Sequence, residues 1–489
     1  MKSKRLAALV LLCLLAGCTV GPDYQRPAID TPNAWRVETQ EAENLAATDW
    51  WQQFDDQVLS DMIITALQNN KDLMIATARI DEYLGRFGYT RADLYPQIGG
   101  GAEYTRARIT ETSDNRPAPG YEITTDTYSL ALNASWELDF WGRIRRSTEA
   151  ARAQIIASAE GRQSVILTLV SNIANSYINL RVLDQQLQIS ENTVKSRGDS
   201  YRLFQERYAN GIISDLELSQ SRSLYDEAVA RLPRLRKAIA IQENALSLLL
   251  GRNPGPIPRG KSIDALGLPA VVAGLPSDLL ERRPDIRLAE QQLIAANAQI
   301  GVAKALYFPT ISLTGGLGLA SGSLSNLFKG DSTIWNVDAP ITVPIFTAGK
   351  IAGTVQEAEA IQQQTLISYR QTIQNAFAEV DDALSSQQET RLQLAAQKRQ
   401  VDSLQRYLDI ARMRYDNGYT DYLSVLDAER SLFSAQLDYT QTHGDLFQSM
   451  VNLYKAMGGG WVTKAAEMAD VPPVPPEPSV LPVLNKPRQ

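Results

Sequence analysis

Arg414-Tyr415-Asp416-Asn417-Gly418-Tyr419-Thr420-Asp421-Tyr422-Leu423-Ser424-Val425-Leu426-Asp427-Ala428-Glu429 reads as the end of one long helix, a tight turn and the start of another. The Asn417-Gly418 pair supplies the positive φ that helix C-termini favour. Asp421, three residues past the glycine, can accept from the free N–H groups of the helix that follows. The stretch has a counterpart 207 residues earlier, Arg207-Tyr208-Ala209-Asn210-Gly211-Ile212-Ile213-Ser214-Asp215-Leu216-Glu217-Leu218, with Ser214 in the capping position. Two such turns, one in each half of the chain, point to an internal repeat, and a repeat sets the architecture.

Other segments pair at a similar offset. Asp72-Leu73 through Gly88 to Tyr95-Pro96-Gln97-Ile98 matches Asp285-Ile286 through Gly301 to Phe308-Pro309-Thr310-Ile311, 213 residues on. Leu138-Asp139-Phe140-Trp141-Gly142-Arg143 corresponds to Val343-Pro344-Ile345-Phe346-Thr347-Ala348-Gly349-Lys350. Repeat one therefore covers about 55–275 and repeat two about 276–461. Each repeat has a helical part. Ile166, Leu169, Ile173, Tyr177, Leu180, Leu183 and Leu187 recur every three or four residues, as do Leu366, Tyr369, Ile373, Ala376, Val380 and Ala383. Such stripes pack on other helices in the manner of coiled coils. The pattern predicts a helix from Gly142 to Tyr208 about 100 Å long. A second runs from Thr354 to Tyr415, and Pro233 marks a kink or a cap in a returning helix.

Each repeat also has strands, over about 97–109, 124–139, 310–320 and 335–346. Tyr128, Leu130, Leu132, Ala134, Trp136 and Leu138 alternate with Thr127, Ser129, Ala131, Asn133, Ser135 and Glu137. Ile311, Leu313, Leu317 and Leu319 alternate with Ser312, Thr314, Gly316 and Gly318, and Trp335, Val337, Ala339, Ile341, Val343 and Ile345 with more polar neighbours. Ile98, Ala102 and Tyr104 give a weaker fourth strand. Alternation of this kind suits a half-buried soluble sheet. It also suits a transmembrane β-barrel, apolar to lipid and polar to the lumen. Stretches 109–123 and 320–334 read as hairpin tips. Four strands cannot close a barrel, and open edges are not viable in lipid. Membrane-spanning strands would therefore require several copies of the chain, in a number the strand count does not fix.

The N-terminus argues for the membrane. Lys2, Lys4 and Arg5 precede an apolar run, Leu6 to Leu15, too short to span a bilayer. Leu15-Ala16-Gly17-Cys18 then resembles a bacterial lipobox. Residues 1–17 read as a lipoprotein signal peptide and Cys18 as the acylated first residue of the mature chain. Thr19, which is not Asp, implies sorting to the outer membrane. Residues 18–54, with Pro22, Pro27 and Pro32, form an extended, lipidated arm, and the Pro-rich residues 462–489 read as a disordered tail. Loss of the signal takes the formal charge from −7 to −10, which argues against nucleic acid. One histidine, His443, and two cysteines, Cys13 and Cys18, leave little for a metal site, a Ser-His-Asp triad or a disulfide framework. The chain reads as no enzyme, with no cofactor beyond the lipid on Cys18.

Six motifs, in order along the chain, carry a family resemblance. They are Cys18…Pro22-Asp23-Tyr24…Pro27, Asp139-Phe140-Trp141-Gly142-Arg143, Leu279-Leu280-Glu281-Arg282-Arg283-Pro284-Asp285-Ile286, Pro344-Ile345-Phe346-Thr347-Ala348-Gly349, Leu426-Asp427-Ala428-Glu429-Arg430-Ser431-Leu432 and Leu453-Tyr454-Lys455-Ala456-Met457-Gly458-Gly459-Gly460-Trp461. From Cys18 to Trp461 the chain resembles the TolC-like outer-membrane efflux factors, in the lipidated branch similar to OprM and NodT. The resemblance implies a mainly α fold with a membrane β-barrel: a homotrimer whose four strands per copy make a twelve-stranded barrel above a periplasmic helical tunnel. It implies a lipid-anchored outer-membrane channel that passively conducts drugs, organic compounds or metal ions, delivered by an inner-membrane transporter and a periplasmic adaptor. A type I protein secretion channel and a structural envelope-spanning lipoprotein are the alternatives.

The resemblance also assigns residues. Leu423 and Asp427 match the constriction of a closed periplasmic gate. Tyr415 and Glu217 match an interhelix hydrogen-bonded latch, and Asn210, Gly211, Asn417, Gly418 and Asp421 lie at the turns that would meet the adaptor. On spacing alone Asp427 faces solvent, Leu423 packs in a core and Tyr415 is an ordinary packing aromatic. A second acidic position of some relatives is Ser424 here, with Asp421 offering a similar charge nearby. The first turn has Leu216 and Gln220 where the second has Leu423 and Asp427, so repeat two is expected to form the constriction and repeat one to supply the latch.

Overall fold

A computed structural model describes residues 19–37, 49–110, 122–269, 279–458 and 460–468. The expected signal peptide, Cys18, the tip of the first hairpin at 111–121 and most of the Pro-rich tail (469–489) lie outside the described residues. The fold is mainly helical. Repeat one contributes α1 (Gln57–Asn69), α2 (Lys71–Ala92), β1 (Gln97–Arg108), β2 (Thr124–Glu137), α3 (Arg143–Ala209) and α4 (Asp215–Leu249). Repeat two contributes α5 (Leu279–Arg282), α6 (Pro284–Ala305), β3 (Thr310–Ser321), β4 (Thr333–Asp338), β5 (Ile341–Thr342), α7 (Lys350–Asp416) and α8 (Tyr422–Ala456). The start of the stretch expected as a disordered tail is instead a helix, α9 (Val462–Met468), because Val462, Ala465 and Ala466 bury into the core. The two longest helices, α3 and α7, have 67 residues each, which is about 100 Å of rod. Pro233 lies inside α4.

The strands form one antiparallel sheet in the order β1-β2-β3-β4, with β5 also on β3. Register gathers the apolar residues on one face. Ile98 sits opposite Ala134, Leu132 opposite Leu317, and Leu317 opposite Trp335. The reverse face carries Asn133, Gly316 and Asn336 side by side. The apolar face is bare within the chain: Trp335 is 74% exposed, Val337 67% and Leu317 59%. Tyr104 and Tyr128 pair at 4.8 Å towards the hairpin end. The strand expected over 335–346 is instead broken into β4 and β5 around Pro340. Proline lacks the N–H that a continuous ladder needs, although the Pro340 carbonyl still accepts from Ser312 N at 3.1 Å. No helix among the described residues is long and apolar enough to cross a membrane.

The rods are tied together midway along their length. Trp50 and Trp51 meet Trp461 edge-on at 5.9 and 5.4 Å, and Tyr454 stacks on Trp50 at 5.3 Å. These rings pack with α1, the Ile166–Val182 stretch of α3 and the C-terminal part of α8. Asp56 organises the polar side of this belt. One carboxylate oxygen caps α1 through Val58 N at 2.9 Å and Leu59 N at 3.3 Å, and the other accepts from the Tyr177 hydroxyl at 2.8 Å and Lys261 N at 2.9 Å. Burial and the bond to Asp56 push the Tyr177 hydroxyl far above its ordinary pKa. The N-terminal arm starts at the base of the sheet, with Val20 N on Trp141 O at 3.0 Å. It then runs down α6, where Tyr24 and Arg26 both donate to Glu290, and on to α7, where Trp35 meets Phe377.

Asp56→Ala leaves buried donors without an acceptor and uncaps α1, and should cost about 2–4 kcal/mol. The expected result is a lower midpoint for thermal loss of the helical circular dichroism signal of the purified protein.

Candidate functional site

The two helical turns lie at the end of the rods opposite the sheet, and their backbones are built alike. After α3, Gly211 N donates to Tyr208 O and Ile212 N to Arg207 O, each at 2.9 Å. After α7, Gly418 N donates to Tyr415 O at 2.9 Å and Tyr419 N to Arg414 O at 2.8 Å. Both are Schellman motifs, which satisfy the last carbonyls of a helix and require a left-handed residue. Gly211 and Gly418 take φ values of 70° and 76°. The amide groups of Asn210 and Asn417 each donate, at 2.7 Å, to a carbonyl four residues back. Ser214 and Asp421 then cap α4 and α8.

Side chains make the two turns different. At the second turn an aromatic cluster packs α3, α7 and α8 together. Phe204 lies 4.1 Å from Tyr422, and Tyr415 lies 5.0 Å from Tyr422. Val425, Leu426 and Ala428 complete the buried face of α8. Burial and the nearby Glu429 charge push the Tyr422 hydroxyl up to about 12. Glu429 is itself buried and accepts from Arg412 at 2.7 Å, which also reaches Ser196 at 3.2 Å. Arg197, buried on α3, donates to Leu224 O at 2.7 Å and sits 5.1 Å over the Phe433 ring. Arg231 of α4 lies 5.5 Å over the same ring, so α8 is held on one side by an apolar seam and three arginines.

Its other side is open. Leu423 is 58% exposed, and with Asp427, Arg430, Ser434 and Asp438 it forms a stripe that no other element among the described residues covers. Residues four apart on a helix stack one turn above another, so the stripe presents an apolar side chain and, next to it, a carboxylate. Asp427 accepts from Arg430 at 2.9 Å in an exposed pair, and such a pair constrains the carboxylate little. At the first turn, Leu216 is exposed in the matching place.

The expected Tyr415–Glu217 hydrogen bond is not made within the chain. The Glu217 carboxylate turns back to accept from Ser214 N and Oγ at 2.9 and 3.0 Å, closing a capping box on its own helix. The Tyr415 hydroxyl accepts instead from Arg207 at 2.7 Å, and the same guanidinium lies 5.7 Å over its ring. A Ser-x-x-Glu run at a helix start is the signature of that box and, weighed alone, would have assigned Glu217 to its own cap. Arg412 and Glu429, on facing helices 17 residues apart, carry no such local signal.

The sequence profile described as "Outer membrane efflux protein" matches residues 62–252 and 275–459. The chain is 39% identical over 452 residues to the cation efflux system protein CusC of Escherichia coli (strain K12), covering 91% of this chain and 97% of that one. It is 37% identical over 469 residues to the solvent efflux pump outer membrane protein SrpC of Pseudomonas putida, covering 94% and 99%. Among solved structures, the Campylobacter jejuni CmeC outer membrane channel superposes with a TM-score of 0.85 at 26% identity, over 93% of this chain and 98% of that one. A crystal structure of CusC gives 0.80 at 38% identity, over 90% and 100%.

Gly211→Ala and Gly418→Ala should each loosen their turn by about 1 kcal/mol. Nothing surrounds either position, so the cost is backbone strain alone and should appear as faster amide hydrogen exchange confined to that tip. Tyr415→Phe, which removes the acceptor of Arg207, should loosen the second turn by about 1 kcal/mol and leave the first unchanged.

Proposed function

The chain belongs to the outer membrane efflux protein family and is an outer-membrane channel of the efflux type; from that premise we propose that three copies share one twelve-stranded barrel, with Leu423 and Asp427 as its periplasmic gate. The observation that carries the gate is the open stripe of α8, exposed on the side of the helix away from its buried aromatic seam. Set around a common axis, three Leu423 side chains make an apolar constriction, and three Asp427 carboxylates one turn on make a negative ring. Carboxylates crowded in a narrow pore repel one another and draw cations in.

The rest of the reading is supported from the sheet. β1 and β4 end its strand order, so each leaves one backbone edge without a partner among the described residues. In lipid such edges must pair, and pairing β4 of one copy with β1 of the next closes the barrel. Its bare apolar face then meets hydrocarbon, and the Asn133, Gly316 and Asn336 side lines the lumen. The arm supports the lipid anchor at Cys18. Thr19 lies against Gly142, at the base of the sheet, where acyl chains attached one residue earlier would enter the adjacent leaflet.

The other partners are a periplasmic adaptor, meeting the tips at Asn210, Gly211, Asn417, Gly418 and Asp421, and an inner-membrane transporter. The names of relatives speak of cations and solvents. The cargo proposed for this chain is small organic compounds and cations, with the carboxylates of the α8 stripe favouring positive charge.

Planar-bilayer recording tests the reading. The parent protein should show a small, cation-preferring conductance. Leu423→Ala should raise it, and Asp427→Ala should raise it while reducing the preference for cations. Well-folded protein that stays silent with both substitutions would mean that α8 gates nothing.

A further inference from the structure

The motif Leu279-Leu280-Glu281-Arg282-Arg283-Pro284-Asp285-Ile286 takes no part in the gate as described so far, yet its central arginine is among the most fully committed side chains in the molecule. Arg283 is 4% exposed. Its guanidinium donates to the Ala456 carbonyl at 2.9 Å, to both Asp285 oxygens at 3.0 and 2.7 Å, and to Glu379 at 2.7 Å. Ala456 is the last residue of α8, Asp285 stands in the first turn of α6, and Glu379 lies midway along α7. One side chain thus fastens the C-terminal end of α8 to two other helices. The cation also suits a helix C-terminus, where the backbone dipole is negative. Gly458, left-handed with φ 85°, closes over it so tightly that a side chain there would strike Arg283.

α8 is not packed evenly along its length. From Gly444 onward more of it is buried, with Phe447, Met450, Val451, Leu453 and Tyr454 inside, while Asp445 and Asn452 stay exposed. Gly444 marks the change: α3 comes so near that an added Cβ would overlap Val182. Before it, the open stripe leaves one face of α8 without a neighbour among the described residues. A rigid 35-residue helix, embedded at one end and held on one side at the other, has the form of a lever.

We propose that Arg283 is a positioning residue for the gate, fixing the end about which α8 swings, with Leu423 and Asp427 at its free end. This rests on reading those two residues as the constriction. From Ala456 to Asp427 the helix is about 44 Å long, so a tilt of about 5° at the anchor moves the gate by about 4 Å. Looseness at Arg283 is therefore magnified at the constriction. Lysine cannot replace it, because a single ammonium cannot reproduce the planar fork that serves a carbonyl and two carboxylates together.

The test uses the full-length protein with a spin label on Ser434→Cys, in the open stripe, and reads label-to-label distances between copies beside the bilayer conductance. Arg283→Lys should broaden the distance distribution and raise the resting conductance several-fold. Glu379→Gln, which removes one of the charged acceptors from a half-exposed site, should do the same to a smaller extent, and it carries the test if Arg283→Lys does not fold. Leu423→Ala, as a control, should raise conductance without broadening the distances. Parent-like distances in both anchor variants would overturn the proposal, even with Leu423→Ala conducting. Broadened distances would uphold the anchor even if Leu423→Ala left conductance unchanged, in which case only the gate reading falls.

Discussion

A backbone N–H or C=O facing hydrocarbon without a partner costs several kcal/mol, and this constraint governs the whole molecule. One chain supplies a sheet with two open edges and a bare apolar face. Neither is tolerable alone in a bilayer, and the proposed sharing of one barrel among copies would resolve both. The polar side of the sheet, with glycine and asparagine side by side across β2, β3 and β4, fits a narrow curved lumen better than a packed core. The break at Pro340 falls at the lower end of the last strand, near the level where β3 begins. There the chain must leave the sheet and enter a helix, and lost ladder hydrogen bonds matter least.

Below the sheet the problem changes from edges to length. A rod of about 100 Å has far too much surface to be stable alone and depends on neighbours at every level. The chain meets this with separate clusters. One lies under the sheet, where small residues of α3 and α6 pack closely; one is the tryptophan belt; and one is at the tips. Between them the helices expose much of their surface, α7 especially. The arm crosses from α6 to α7 and ties the upper levels together through Glu290 and Phe377.

The long helices, their turns and the strand alternation were all legible because each rests on a local rule: an uninterrupted heptad-like stripe, an Asn-Gly stop followed by a cap, and a period of two. What eluded the sequence is contact at a distance. The Asp56 hub joins residues 121 and 205 positions away. The Arg412–Glu429 pair and the Arg207–Tyr415 bond likewise need α3, α7 and α8 already in place. Within the site, Leu423 and Asp427 could be matched to a family pattern, but their exposure opposite the buried seam of α8 is a property of the bundle. Glu217 shows the reverse: its own helix claimed the carboxylate before any distant tyrosine could, because a capping box closes over three residues with almost no loss of chain freedom.

The likeness of the two Schellman turns has a consequence for symmetry. The backbone at Asn210-Gly211 and at Asn417-Gly418 is nearly superimposable in its hydrogen bonding, whereas the side chains beyond each turn differ. In any closed ring of these chains, a partner that touches only main chain and asparagine meets twice as many equivalent docking points as there are copies. A partner that reads Asp421 or Leu216 meets only as many as there are copies. In such a ring the same tips would offer two rotational orders at once, and the chemistry of the visiting surface would decide which one it obeys.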